Sequence, residues 1–162
     1  MESEVKKSLW FQFGAAIDML ENAINACPQE LWVGKSEFWY KAYHTIFFLD
    51  YYLSEPENFH PPKPFTLSEF DEMGRRPERI YSKEELIVYL NYSRDKCFKK
   101  IQTFNPESNE MRFKNSYRDY SIFEILIYNL RHIQHHVAQL NLILRQGNYS
   151  VPEWVSRTEK TG

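Results

Sequence analysis

The chain has 162 residues, 43% of them hydrophobic, and a formal net charge of -2, which predicts one domain spanning residues 1–162 around a single core. Charges of both signs are interspersed, so no basic stripe awaits a phosphate backbone, and nucleic acid is excluded from the expected partners. An aromatic share of 17% beside only 5 glycines excludes a disordered chain and favours a thick core, a buried interface or an aromatic-walled pocket.

The first predicted helix runs from Val5 to Cys27, where apolar residues recur every three or four positions until Pro28 stops the run. A short connection, Pro28 to Lys35, leads to Ser36 as N-cap of a second helix, Glu37 to Leu53. Tyr40, His44, Phe47, Phe48 and Tyr51 share a face of that helix. The segment Ser54 to Tyr81 carries most of the prolines and Gly74, which break any regular helix. It is a long crossover whose Phe59, Phe65 and Phe70 are expected to pack on the body, with a short helical turn opened by a capping box at Thr66 and Glu69. Its length allows the third helix to run parallel to the second.

The third helix opens on a second capping box, Ser82 and Glu85, and extends to about Phe104. A polar connector, Asn105 to Asp119, follows. A third box, Ser121 and Glu124, opens the fourth helix, which ends near Gln146 with Gly147 as its stop. On this helix Ile125, Ile133, Leu140 and Ile143 are expected on one side and Leu126, Leu130, Val137 and Leu144 around the other. Such a broad apolar surface predicts a second contact, of which a homodimer is the first candidate. The tail from Ser150 to Gly162 is expected to lie across the helices. Four long helices without a strand pattern predict an all-α, four-helix bundle.

The fourth helix is too often interrupted, by Glu124, Arg131 and three histidines, to be a membrane span. The N-terminus lacks the apolar run of a signal peptide, and Cys27 and Cys97 form no CxxC motif. Both observations predict a cytoplasmic protein whose cysteines are reduced core residues.

Chemistry concentrates in three histidines. His132 and His136 project from one helical face a turn apart, the spacing with which two imidazoles grip one ion, and His44 lies on the apolar face of the second helix. Three neutral imidazoles and an exchangeable water form an open catalytic zinc site, and imidazole also suits nickel, cobalt and iron(II). The alternative for the same residues is a set of hydrogen-bonded core histidines. Glu57 and His60, the one Glu-x-x-His match to the di-iron pattern, lie in a proline-bounded loop. No glycine-rich phosphate loop, nucleophile elbow or c-type haem attachment motif is present.

The stretch from Asn129 to Leu140, with its His132-x-x-His135-His136 core and Ala138-Gln139-Leu140 beyond it, resembles the fourth-helix signature of the DinB/YfiT-like family. Trp39 to Asp50 is similar to that family's second helix, where one metal-binding histidine sits among aromatics. Tyr81 to Leu86 resembles the start of its third helix, and Pro152-Glu153-Trp154-Val155 its usual tail, so the likeness covers almost the whole chain. Ala138 departs from it, since many members carry glycine there. The resemblance implies an up-down-down-up bundle with the long crossover between the second and third helices, commonly a homodimer.

It also implies a divalent metal, Zn²⁺ or Ni²⁺, on His44, His132 and His136, with His135 as a non-ligand in a supporting, pocket-wall or interface role. Related bundles include thiol S-transferases for bacillithiol or mycothiol and a thiol-dependent isomerase. The implied function is therefore a metal-dependent enzyme acting on a small molecule, with a low-molecular-weight thiol as cosubstrate. The alternative is a non-catalytic dimeric metal- or ligand-binding stress-response protein. Asp50, Tyr51, Asn129, Gln139 and the crossover are candidate pocket residues.

Overall fold

The structure is a computed structural model that describes residues 3–105 and 111–161. Residues 106–110 of the expected polar connector, and the chain ends at 1–2 and 162, lie outside the described residues. The protein is mostly helical, with α1 (Glu4–Ala26), α2 (Gln29–Trp32), α3 (Phe38–Tyr52), α4 (Lys83–Thr103) and α5 (Ile122–Gln146) packed together. Two short strands, β1 (Arg112–Lys114) and β2 (Asp119–Ser121), pair antiparallel with Phe113 opposite Tyr120. This hairpin corrects the expectation of a strandless chain. Three-residue strands are too short to show a period-2 pattern, and their pairing is supported by packing on α5.

Local chemistry explains most helix ends. Ser82 accepts from the Glu85 amide while the Glu85 carboxylate accepts from the Ser82 amide, the full capping box expected for α4. Ser121 caps α5 by accepting from the Glu124 amide. The second helix starts differently from its prediction. Glu37, at φ 57°, occupies the N-cap of α3, and the Ser36 hydroxyl is buried without a partner. The Glu37 amide is tied back to the Gly34 carbonyl at 3.1 Å, so the chain turns once more before it can enter the helix. The connection before it also contains α2, whose buried Trp32 donates to the Tyr81 carbonyl at 3.0 Å.

Helices α1 and α3 each pack against both α4 and α5. Buried polar contacts set these interfaces. Arg94 of α4 donates to Asp18 at 2.6 Å and Glu21 at 2.7 Å of α1. Asp50 of α3, fully buried, accepts from Tyr89 at 2.9 Å and Lys96 at 2.5 Å of α4. Asn129 of α5, also fully buried, donates to the Leu49 carbonyl of α3 at 3.0 Å. Asp50 and Asn129 thus serve the helix interfaces, and the Tyr51 hydroxyl accepts from the Asn115 side-chain amide. Both predicted apolar flanks of α5 turn into this core. Leu126, Val137 and Leu144 are buried with Ile125, Ile133 and Leu140, while Leu130 and Ile143 are partly buried against the core. The apolar side chains that α5 leaves exposed are Phe123, Ile127 and Leu142.

The crossover packs as its aromatics predict. Phe65 stacks on Tyr89 with centroids 4.4 Å apart, and Phe70 meets Phe47 at 5.1 Å and Tyr51 at 4.9 Å. Cys27 and Cys97 are free and buried, and burial pushes the Cys27 thiol up to about 11. No helix among the described residues is long and apolar enough to cross a membrane.

The tail lies across α1. The Thr158 hydroxyl donates to Asp18 at 2.6 Å, and its amide to the Phe11 carbonyl at 3.1 Å. Gly14 permits this approach, since a Cβ there would stand 2.4 Å from Thr158 Cγ2 and 2.8 Å from its Cβ. Gly14→Ala is expected to cost about 1–3 kcal/mol by overpacking. It should also lift the tail, seen as a lower melting temperature and faster tryptic cleavage after Arg157. An unchanged cleavage rate would show that the tail does not depend on this contact.

Candidate metal centre

Helix α3 carries its bulk inward through Tyr43 and Phe47, which are fully buried, and this places His44 at the edge of the core beside α5. The Asn129–Leu49 bond aligns the two helices so that Tyr52 meets Tyr128 and His44 meets His132 and His136. The ring centroids of His44 lie 5.4 Å from His132 and 4.8 Å from His136. Each of the three offers a ligand atom, all within 4.8 Å of one another, a cluster that could hold a metal ion. His132 Nε2 and His136 Nε2 stand 3.1 Å apart. Two imidazole nitrogens on a tetrahedral zinc with bonds of about 2.0–2.1 Å sit about 3.3 Å apart, so this pair is already near a chelating spacing.

Supporting contacts orient the rings. His44 Nδ1 meets the Glu69 carboxylate at 2.6 Å, which leaves Nε2 for the cluster. His136 Nδ1 donates to Gln139 Oε1 at 2.8 Å and likewise leaves Nε2 facing His132. Carboxylate and amide partners of this kind fix the tautomer and direction of metal-ligating histidines. Gln139, a predicted pocket candidate, is thus part of the site, and its amide nitrogen also contacts His135 Nε2 at 3.2 Å. His135 is exposed and stands outside the three-residue cluster. His132 Nδ1 is buried without a partner.

Glu69 was assigned by sequence to a capping box. The structure corrects this: Leu67–Phe70 is a single 3-10 turn, Thr66 makes no side-chain cap, and Glu69 reaches His44 instead. Spacing cannot reveal such a contact, because it joins a loop to a helix 25 positions away. The carboxylate is almost wholly buried, and together with burial it pushes the Tyr40 hydroxyl up to about 12.

Aromatic rings wall the histidines. Phe48 lies 4.8 Å from His44 and 5.7 Å from His132, and Tyr52 lies 5.7 Å from His132. Beside His132 a cavity of about 500 Å³ is lined by Tyr128, Arg131, His132, Gln134 and His135. A larger one, about 920 Å³, lies along the crossover and includes none of the histidines. The pair Glu57 and His60 forms no cluster with the triad.

Burial dominates the electrostatics. It pushes the His132 imidazole down to about 3, assisted by the neighbouring histidines and Arg118. It also pushes His136 down to about 4, against the bond to Gln139 and with help from His44, His135 and Lys41. Both rings are therefore neutral at pH 7, the form that binds metal. Comparison of the chain with protein-family models, with curated proteins and with solved structures finds no match.

Because both folded pKa values lie below the ordinary 6.5, the unfolded chain takes up these protons first as pH falls. Their contribution is complete above pH 6.5 and is lost progressively toward about pH 4 for His136 and about pH 3 for His132. The melting temperature of chelator-treated protein should fall between pH 7 and about 5, and a His132→Gln, His136→Gln variant should show a shallower fall. Equal slopes would refute the assignment of neutral, buried rings.

Proposed function

We propose that the protein is a divalent-metal-dependent enzyme of the DinB/YfiT-like family, with His44, His132 and His136 holding one Zn²⁺ or Ni²⁺ ion. In this reading its substrate is a small molecule, and a low-molecular-weight thiol is the cosubstrate of an S-transferase reaction. The observation that carries the reading is the convergence of three imidazoles from two distant helices, with ligand atoms within 4.8 Å. A bound divalent ion would supply Lewis acidity, lowering the pKa of a thiol or water in an open coordination position. The chain's own groups hold that arrangement: Glu69 and Gln139 aim two of the rings, and Phe48 and Tyr52 limit water around them.

The order of contacts supports the up-down-down-up topology of this family. Lys6 meets Gln102 and Asp18 meets Arg94, as for opposed α1 and α4. Trp39 meets Tyr81 and Asp50 meets Lys96, as for parallel α3 and α4 joined by the crossover. His44 meets His136 and Tyr52 meets Tyr128, as for opposed α3 and α5. One contiguous hydrophobic core supports a single domain. The exposed Phe123, Ile127 and Leu142 of α5 support a homodimer, and the two free, buried cysteines support a cytoplasmic location. A second reading, a non-catalytic dimeric metal- or ligand-binding stress-response protein, is favoured by the engagement of Glu69 with His44, which occupies the carboxylate in contact with the triad.

Protein purified without chelator is expected to carry about one divalent ion per chain by elemental analysis. A His44→Ala, His132→Ala, His136→Ala variant should carry none, and full retention there would sink the metal site. Turnover of monobromobimane with a panel of low-molecular-weight thiols separates the enzyme from the binding protein. Glu69→Gln should weaken Zn²⁺ binding by about tenfold to a hundredfold in a chelator competition, since it removes the charge that polarises His44. Unaltered affinity would show that the contact does not support the ligand.

A further inference from the structure

Most arginines of this protein are neutralised from within. Arg75 pairs with Asp71, Arg76 with Glu37, Arg79 with Glu85, Arg94 with Asp18 and Glu21, and Arg112 with Asp119. Arg118 and Arg131 have no carboxylate at ion-pairing distance among the described residues; Arg131 lines the cavity beside His132, and Arg118 lies over the Tyr128 ring that also lines it. Arg145 and Arg157 are also without one, but they sit on the last turn of α5 and over the Phe11 ring.

Arg118, in the turn between β1 and β2, donates through Nη2 to the Tyr128 hydroxyl at 2.8 Å. Its guanidinium lies 4.8 Å from the centroid of the Tyr128 ring and 5.8 Å from that of Tyr52, the ring that meets His132. Arg131 immediately precedes His132 on α5, is exposed, and shares with His132 and Tyr128 the cavity of about 500 Å³, which no Asp or Glu lines. A guanidinium presents five N–H donors in a planar fork, and among the described residues the bond from Arg118 to Tyr128 is the only side-chain hydrogen bond that either one donates. Lys41 adds charge on the His136 side, and the carboxylate in contact with the triad, Glu69, is taken by His44.

We propose that the cavity beside His132 binds the carboxylate of a small organic anion, with Arg131 in its wall and Arg118, reaching over the Tyr128 ring, as the ion-pairing groups. The step from that anion to a substrate rests on the metal-enzyme reading above. The binding itself does not. Charge-assisted hydrogen bonds from a guanidinium are about twice as strong as neutral ones. The Tyr128 ring gives the cavity one apolar wall against which an anion's carbon skeleton can lie. A divalent ion on the histidines would add attraction of the same sign, so the anion would lie with one end on the arginines and its remainder toward the triad.

The test uses succinate and its neutral diamide, succinamide, as probes, titrated calorimetrically into the full chain in zinc-loaded and chelator-treated forms. Succinate should bind at least about tenfold more tightly than succinamide in both forms. In an Arg118→Gln, Arg131→Gln variant with unchanged zinc content, the ratio should fall to within about twofold. Arg131→Gln alone, at an exposed position, should lower it by about threefold and keeps the test readable if the double variant does not fold. Equal affinity for the two probes, or a preference that survives the double variant, would overturn the proposal. A preference seen only with zinc present and insensitive to the arginines would assign the attraction to the ion and overturn it as well. Loss of the metal reading would register differently: no zinc would be taken up, while the chelator-treated protein would still prefer succinate.

Discussion

The rest of the site depends on the buried contact between α3 and α5, where the Asn129 side chain donates to the Leu49 carbonyl. A polar side chain with no exposure costs about 1–3 kcal/mol when its hydrogen bond is lost, so sliding the helices past each other is penalised beyond the loss of apolar packing. That contact sets which turn of α3 faces which turn of α5. Three residues beyond Asn129 lies His132, a further turn on lies His136, and both fall opposite His44. The fully buried Ile133, Val137 and Leu140 hold the same alignment from the core side. The imidazoles are thus brought to one point by packing that is indifferent to metal.

What accumulates at that point is an unusual balance. Two imidazoles held neutral by burial stand between a single buried carboxylate and several cations. Burial is the largest influence on both rings, ahead of any neighbouring charge, which is why the site offers lone pairs and not positive charge at neutral pH. Of the three rings of the cluster, Glu69 contacts His44. Arg118 and Lys41 work in the same direction as burial on His132 and His136. Neutral rings and an excess of positive charge around them are therefore consequences of one electrostatic arrangement.

The crossover is part of this arrangement and not merely a link. Phe59, Phe65 and Phe70 insert among Phe47, Tyr51 and Tyr89, and this anchoring carries Glu69 to His44. A loop without such anchors would spend too much conformational entropy to keep a carboxylate in one place. Aromatic anchoring removes that freedom, and the carboxylate becomes a fixed partner of the ring.

The sequence by itself determined the helical periodicities, the capping serines Ser82 and Ser121, the break at Pro28, and the one-turn spacing of His132 and His136 on one face. Each of these is local: it depends on residues within one or two turns of one another, or on an apolar face that any helix must bury. Even the packing of the crossover was legible in its three phenylalanines. The entry of α3 at Glu37, the β1–β2 hairpin, the burial of most of both flanks of α5, the meeting of His44 with His132 and His136, the turn of Glu69 toward His44 and the place of Arg118 above Tyr52 and Tyr128 were decided only in the tertiary structure. These contacts join segments far apart in the chain, and their partners are chosen by the register of packed helices, which no spacing along the sequence encodes.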